Sequence, residues 1–266
     1  MTSKEQQFLT ELDLFRGECE ASSQHLYAYL AIHSLAKRRK RIFRTLDRHA
    51  LFWNTVLGAL QASALITLGR VFDQDTPHNV DVLIRVAQET PTMFSKSALA
   101  RRKHNSNEAP PAWLEGFVTR AHEPTAHDFR YLRKYVKKLR RIYEARYRDL
   151  RHKVFAHTVA TGPAEVAALA ANANINELKR LISSLLSLHE TLFDLFWNGR
   201  PPVLRKLRYA AKLPEGHRVS NLPHEQIVAQ AEQVLMDTAR PNKALQATSR
   251  VRAKAPVKRV SHASRG

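Results

Sequence analysis

Apolar residues recur along most of this chain at spacings of three, four or seven, the period of helices with one buried face. A first helix is predicted over about Lys4 to Lys37, with Leu9, Leu12, Phe15, Leu26, Tyr29, Leu30 and Ile32 on its apolar side. Gly17 is the residue in it that favours a break. Ala50 to Gly69 is a run of 20 residues without charge, long enough to cross a bilayer. Asn54, Thr55, Gln61, Ser63 and Thr67 within it, and the lack of a second such run, favour a buried core helix instead. Its end, Arg70-Val71-Phe72-Asp73-Gln74-Asp75-Thr76-Pro77, has the composition of a helix stop and turn. Val80, Leu83, Ile84 and Ala87 place a short helix over Asn79 to Gln88. From Thr90 to Trp113 the period dissolves around Arg101-Arg102-Lys103-His104-Asn105-Ser106-Asn107 and Pro110-Pro111, which predicts an exposed loop, or in a functional reading a basic flap over RNA.

A central helix begins near Asp128, where Phe129, Leu132, Val136, Leu139, Tyr143, Leu150, Val154 and His157 form one seam. Gly162 and Pro163 stop it and start the next, a short helix over Ala164 to Ala171. Asn174 or Asn176 then caps a longer helix, Glu177 to Trp197, with Leu178, Leu181, Ile182, Leu185, Leu188 and Leu192 on its broad apolar face. Pro201-Pro202 closes this body, and Pro223 to Met236 is one more amphipathic helix. The expected organisation is a helical domain over 1–200, an extension with one helix over 201–239, and a basic tail over 240–266. That tail holds eight Lys or Arg, no acid and no aromatic, a composition of disorder.

Charge narrows the function. Forty-three Lys and Arg against 24 acids give a formal +19, and removing the tail still leaves about +11, so the partner is expected to be a polyanion, nucleic acid before an anionic membrane. Cys19 is the only cysteine, which excludes a disulfide framework and a thiolate metal site. The acidic N-terminus has no apolar signal segment, and a cytoplasmic protein is expected. There is no Gly-rich phosphate loop and no zinc-protease His-Glu pair; His122 and His127 flank Pro124 and do not share a metal face. No metal and no cofactor is therefore expected.

The chemistry concentrates in Arg148-Asp149-Leu150-Arg151-His152-Lys153-Val154-Phe155-Ala156-His157-Thr158. Guanidinium forks grip phosphate at two points, and imidazole moves protons near neutral pH, a pairing suited to RNA cleavage. At about 100° per residue, Arg151 and His157 point about 120° apart on a straight helix. Either the helix unwinds near Ala156, or the two residues meet counterparts from a second copy of the chain; the second copy is favoured. Between Arg130 and Lys153 eleven basic residues stand against Glu144 and Asp149, so an anion is expected along this helix. Arg70 and Asp73, three apart, are expected to form a local ion pair at a helix end.

Arg151-His152-Lys153-Val154-Phe155-Ala156-His157 resembles the signature of the HEPN superfamily of all-helical ribonucleases: Arg, a polar residue, a short spacer, then His. The uncharged run from Ala50 to Gly69, closed by Arg70-Val71-Phe72-Asp73, is similar to the abortive-infection AbiU branch; together the matched parts span roughly 44–197. The resemblance implies an all-α, HEPN-type helical bundle. It further implies a homodimer whose shared electropositive cleft cuts RNA without metal, in a phage-defence or toxin-antitoxin setting, restrained by an antitoxin or other inhibitor. Arg151 and His157 would be catalytic, Arg148, His152 and Lys153 would position RNA, and Arg70 and Asp73 would give structural support. Val159 stands where the branch silenced by nucleotidylation has Tyr, so that control is not expected. The alternative is an inactive HEPN-type module that binds RNA or a protein partner.

Overall fold

A computed structural model describes residues 1–104, 109–156, 162–207 and 209–240. The expected tail beyond Arg240, His157 and Asn105-Ser106-Asn107 lie outside the described residues.

The chain is all-α, with no strand among the described residues, and it is arranged round its first helix. α1 (Ser3–Arg38) is opened by a capping box: the Thr2 hydroxyl accepts from the Glu5 amide at 3.2 Å, and Glu5 Oε2 accepts from the Thr2 amide at 2.6 Å. Gly17 does not interrupt it. Phe8, Leu12, Phe15, Cys19 and Leu26 bury one side of α1 in the main core. Tyr27 and Ala31 bury another side against the last helix.

α2 (Lys40–Arg48) is short, and α3 (Ala50–Phe72) follows at His49. α4 (Val80–Glu89) is capped by Asn79, whose side-chain oxygen accepts from the amides of Asp81 and Val82. α5 (Lys96–Lys103) and α6 (Ala112–Thr119) lead to α7 (Ala126–Arg146), which a Thr125–Asp128 capping box begins. α8 (Arg148–Leu150) and a π-helical turn (Arg151–Ala156) come next, then α9 (Pro163–Asn172), α10 (Ile175–Asn198) and α11 (Pro223–Thr238). Asn174 is the residue that caps α10. Gly199 ends it at φ 57°, and a Cβ there would fall 2.5 Å from that of Ala121 and 2.8 Å from Leu99 Cδ2, so glycine is required twice over.

The main core joins the apolar faces of α1, α4, α7 and α10 with the last turns of α3. The expected buried core helix over Ala50 to Gly69 is corrected by this packing. Only Ala64, Leu65, Thr67, Leu68, Gly69, Val71 and Phe72 are buried; Leu51 is 86% exposed and Phe52 62%. The first half of α3 is a surface helix that lays only Trp53, Leu57 and Leu60 on a small cluster, where Leu235 and Ala239 at the end of α11 join Ile32, Leu35 and Ile42.

The expected exposed loop over Thr90 to Trp113 is corrected too. Pro91–Phe94 forms a 3-10 turn that buries Met93 and Phe94, and α5 buries Ala98 and Leu99. Arg102 is only 1% exposed and meets the wholly buried Glu5 at 2.9 Å. It also donates to the Met93 carbonyl at 2.6 Å and to the Phe196 carbonyl at 2.7 Å, and lies 3.9 Å from the Phe196 ring centroid. Local periodicity missed the segment because its helices are short and one buried anchor is an arginine.

His189, on α10 beside Arg16 and Glu20 of α1, is held neutral by burial, its pKa lowered to about 4; nearby Arg16 adds to the shift. Unfolding restores an ordinary value near 6.5, so the unfolded chain binds the extra proton, and stability falls as pH drops from about 6.5 to about 4. Urea titrations at pH 7 and pH 5 are expected to show lower stability at pH 5. His189→Gln should reduce that loss by about 1–2 kcal/mol. An unchanged pH slope in the variant would remove His189 from the account.

Candidate functional site

The central basic helix does not run unbroken to His157 as expected. α7 stops at Arg146, and Tyr147 leaves helical geometry at φ −125°, ψ −23°. Tyr147 is fully buried, and its hydroxyl donates to the Asn174 carbonyl at 2.7 Å, which anchors the break to the N-terminus of α10. Burial pushes that hydroxyl's pKa up to about 12, so it stays a donor. The six residues Arg151–Ala156 then form a π turn, whose wider hydrogen-bonded ring turns successive side chains through less than an α-helix does.

The π turn packs on the end of α3. Arg151 lies directly across Gly69, where an added Cβ would stand 2.4 Å from its Nε and 2.5 Å from its Cδ. Only a glycine leaves room for that side chain. On its other side, an Arg151 terminal nitrogen is 3.8 Å from Asp73 Oδ2, well beyond the 2.7–2.9 Å of a charge-assisted hydrogen bond. Arg151 Nε is buried and has no hydrogen-bond partner among the described residues. The guanidinium is thus seated but not saturated by the protein.

Beneath it Tyr143 stacks on Phe72, with ring centroids 5.0 Å apart and planes at 21°. Its hydroxyl is buried close to the Arg151 guanidinium. Burial raises its pKa, an effect that the nearby charge of Arg151 only partly offsets, so the hydroxyl keeps its proton at neutral pH.

These groups line a cleft of about 580 Å³. Arg148, Arg151 and His152 border it together with Gly69, Asp73 and Tyr143. Asp75, Glu144 and Asp149 also border it, so the lining within one protomer has four carboxylates against two guanidinium groups. The positive charge lies instead on the outer face of α7, where Arg130, Arg133, Lys134, Lys137, Lys138 and Arg141 are exposed.

The predicted residues separate in space. Arg148, Arg151, His152 and Asp73 share the cleft. Lys153 is drawn towards α9, 3.3 Å from Glu165, and is 3.8 Å from Asp149. Arg70 and Asp73 do not form the expected local pair: Arg70 turns to Glu18 of α1 at 3.0 Å, while Asp73 faces Arg151. Gly69 and Tyr143 belong to the site and were legible only as the end of the uncharged run and as a seam position. Among the described residues no cluster of three or more His, Cys, Asp or Glu is arranged to hold a metal ion.

An all-helical body with one arginine seated in a cleft between α3 and a π turn is the class of structure these features define. The family profile of AbiU2, a HEPN family, matches residues 5–206, and the chain belongs to that family. It is thus a HEPN-type, abortive-infection-related protein, and the match takes in every helix except α11. No curated protein and no solved structure matches it.

Proposed function

We propose that the protein is a metal-independent endoribonuclease of a phage-defence or toxin-antitoxin type, cutting RNA at a cleft completed by a second protomer. The observation that carries this reading is the state of Arg151: held in place by Gly69, loosely faced by Asp73, and still owning donors for an anion. His157, the next motif residue, lies outside the described residues, one position past the π turn.

In this reading His157 takes the proton from a ribose 2′-hydroxyl or delivers one to the departing 5′-oxygen. The 2′-oxygen bonds to phosphorus, the bond from phosphorus to the 5′-oxygen breaks, and a 2′,3′-cyclic phosphate and a 5′-hydroxyl result. Arg151 stabilises the extra negative charge on the phosphorane. Arg148 and His152 position the backbone, and the exposed cations of α7 attract it. A second protomer supplies a further Arg151 and His157 to the shared cleft. The restraining partner would be an antitoxin or other inhibitor.

Total RNA incubated with the purified chain in the presence of a chelator is expected to yield fragments with cyclic-phosphate ends. His157→Ala and Arg151→Ala are each expected to lower the rate by about 10²–10⁴-fold. Equal cleavage by wild type and His157→Ala would end the enzyme reading. The four carboxylates of the cleft favour one alternative, an inactive module that holds RNA on α7. That alternative predicts RNA binding without cleavage, lost when Lys134, Lys137 and Lys138 become Glu.

A further inference from the structure

The corner made by α2 and the exposed side of the first half of α3 combines two features that the nuclease reading does not use. One is cationic: Lys37, Arg38, Lys40, Arg41, Arg44 and Arg48 are all exposed, and Asp47 is the only acid between residues 21 and 72. The other is apolar: Phe43 on α2 is 57% exposed, and Leu51 and Phe52 are exposed in the first turn of α3. Phe52 packs edge-to-face on Trp53, with centroids 5.3 Å apart, and Trp53 belongs to the cluster of Ile32, Leu35, Ile42 and Leu235.

We infer that this corner docks on an anionic lipid surface, with the cations at the headgroups and Phe43, Leu51 and Phe52 dipping into the acyl boundary. Basic residues beside aromatic and aliphatic ones on a short element are the composition of an interfacial anchor. α3 does not span. Although its 23 residues are long and apolar enough, Ala64 onward is largely buried in the protein core. The remaining 14 residues reach about 21 Å, short of the ~30 Å hydrocarbon layer.

Two other occupants fit less well. A second copy meeting the first at a two-fold contact here would set six cations against six. RNA would gain from the cations and stack on two phenylalanines, but Leu51 and the uncharged first half of α3 offer a phosphate nothing.

The test is co-sedimentation of the full chain with vesicles of phosphatidylcholine alone or containing phosphatidylserine, alongside its mass in solution and its RNA binding. Wild type should pellet with the anionic vesicles only. Removing one charge, as in Arg41→Gln or Arg44→Gln, should weaken partitioning about fivefold, the factor corresponding to ~1 kcal/mol per basic residue. Leu51→Ser with Phe52→Ser should abolish it while leaving RNA cleavage unchanged, so that loss of lipid binding is distinguishable from loss of the nuclease. Equal pelleting with neutral vesicles overturns the proposal. So does a dimer that becomes a monomer in the double variant without lipid binding, as does RNA binding at this corner without vesicle binding. Binding that survives the double variant and disappears on truncation after Arg240 overturns it as well.

Discussion

Gly69→Ala is expected to leave the fold standing and to lower RNA cleavage by about a hundredfold, the scale of loss that a 1 Å misplacement causes in an oriented site. The new methyl would occupy the path of Arg151, 2.4 Å from Nε, and what must move is a flexible side chain and not backbone. Alanine is also the better helix former by ~1 kcal/mol, which offsets the clash in stability. The result to look for is an almost unchanged melting curve beside a collapsed initial rate. Gly58→Ala on the same helix is the control, because nothing lies within 4 Å of a Cβ there. If Gly69→Ala cleaves like wild type, the seat of Arg151 on α3 has no part in the reaction.

The largest stability effect is expected at Arg102. Arg102→Met should cost about 3–5 kcal/mol, since it strands a buried carboxylate and two carbonyls at once. Burial alone would raise the pKa of Glu5, but the Thr2 amide, Arg102 and then Arg101 more than reverse it, so the pair is ionised at neutral pH. Arg101, also 3.0 Å from Glu5, is half exposed and makes up part of the loss. Against a total of about 5–15 kcal/mol, the variant should be marginal at 37 °C. Adding Glu5→Gln to Arg102→Met should recover stability relative to Arg102→Met alone, because an uncompensated charge costs more than a missing pair. Chemical denaturation of the three proteins measures this; a double variant less stable than the single would show that the carbonyl contacts matter and the charge does not.

Both experiments act on residues whose role is invisible in a linear pattern. Arg102 sits in a cluster of four basic and imidazole side chains that composition assigns to the surface, and Gly69 ends an apolar run as many glycines do. Position 143 shows the same limit: its place on the seam predicted burial, which holds, but not the Arg151 above its hydroxyl. Arg70 and Asp73 were neighbours by helical arithmetic, but α3 ends at Phe72 and Asp73 is already extended, so the two side chains turn to charges on other elements.

What the sequence determined by itself was everything governed by rules of short range. Apolar spacing set the helical class and the faces of α1, α7 and α10, Asn174, Pro163 and Pro223 marked helix starts, and the blocks around Arg70 and Arg151 pointed to the HEPN, AbiU-type family that the profile match bears out. The tertiary structure alone decided which apolar run is covered, where α7 breaks, and which arginine is buried. Those outcomes depend on what arrives from distant parts of the chain: α11 covering the end of α1, Asn174 pinning Tyr147, and Glu5 reaching Arg102. A periodic pattern says that a side chain faces inward, but the neighbour it meets there is settled by packing between elements, and packing decides whether a charge is stranded, paired or left ready for a ligand.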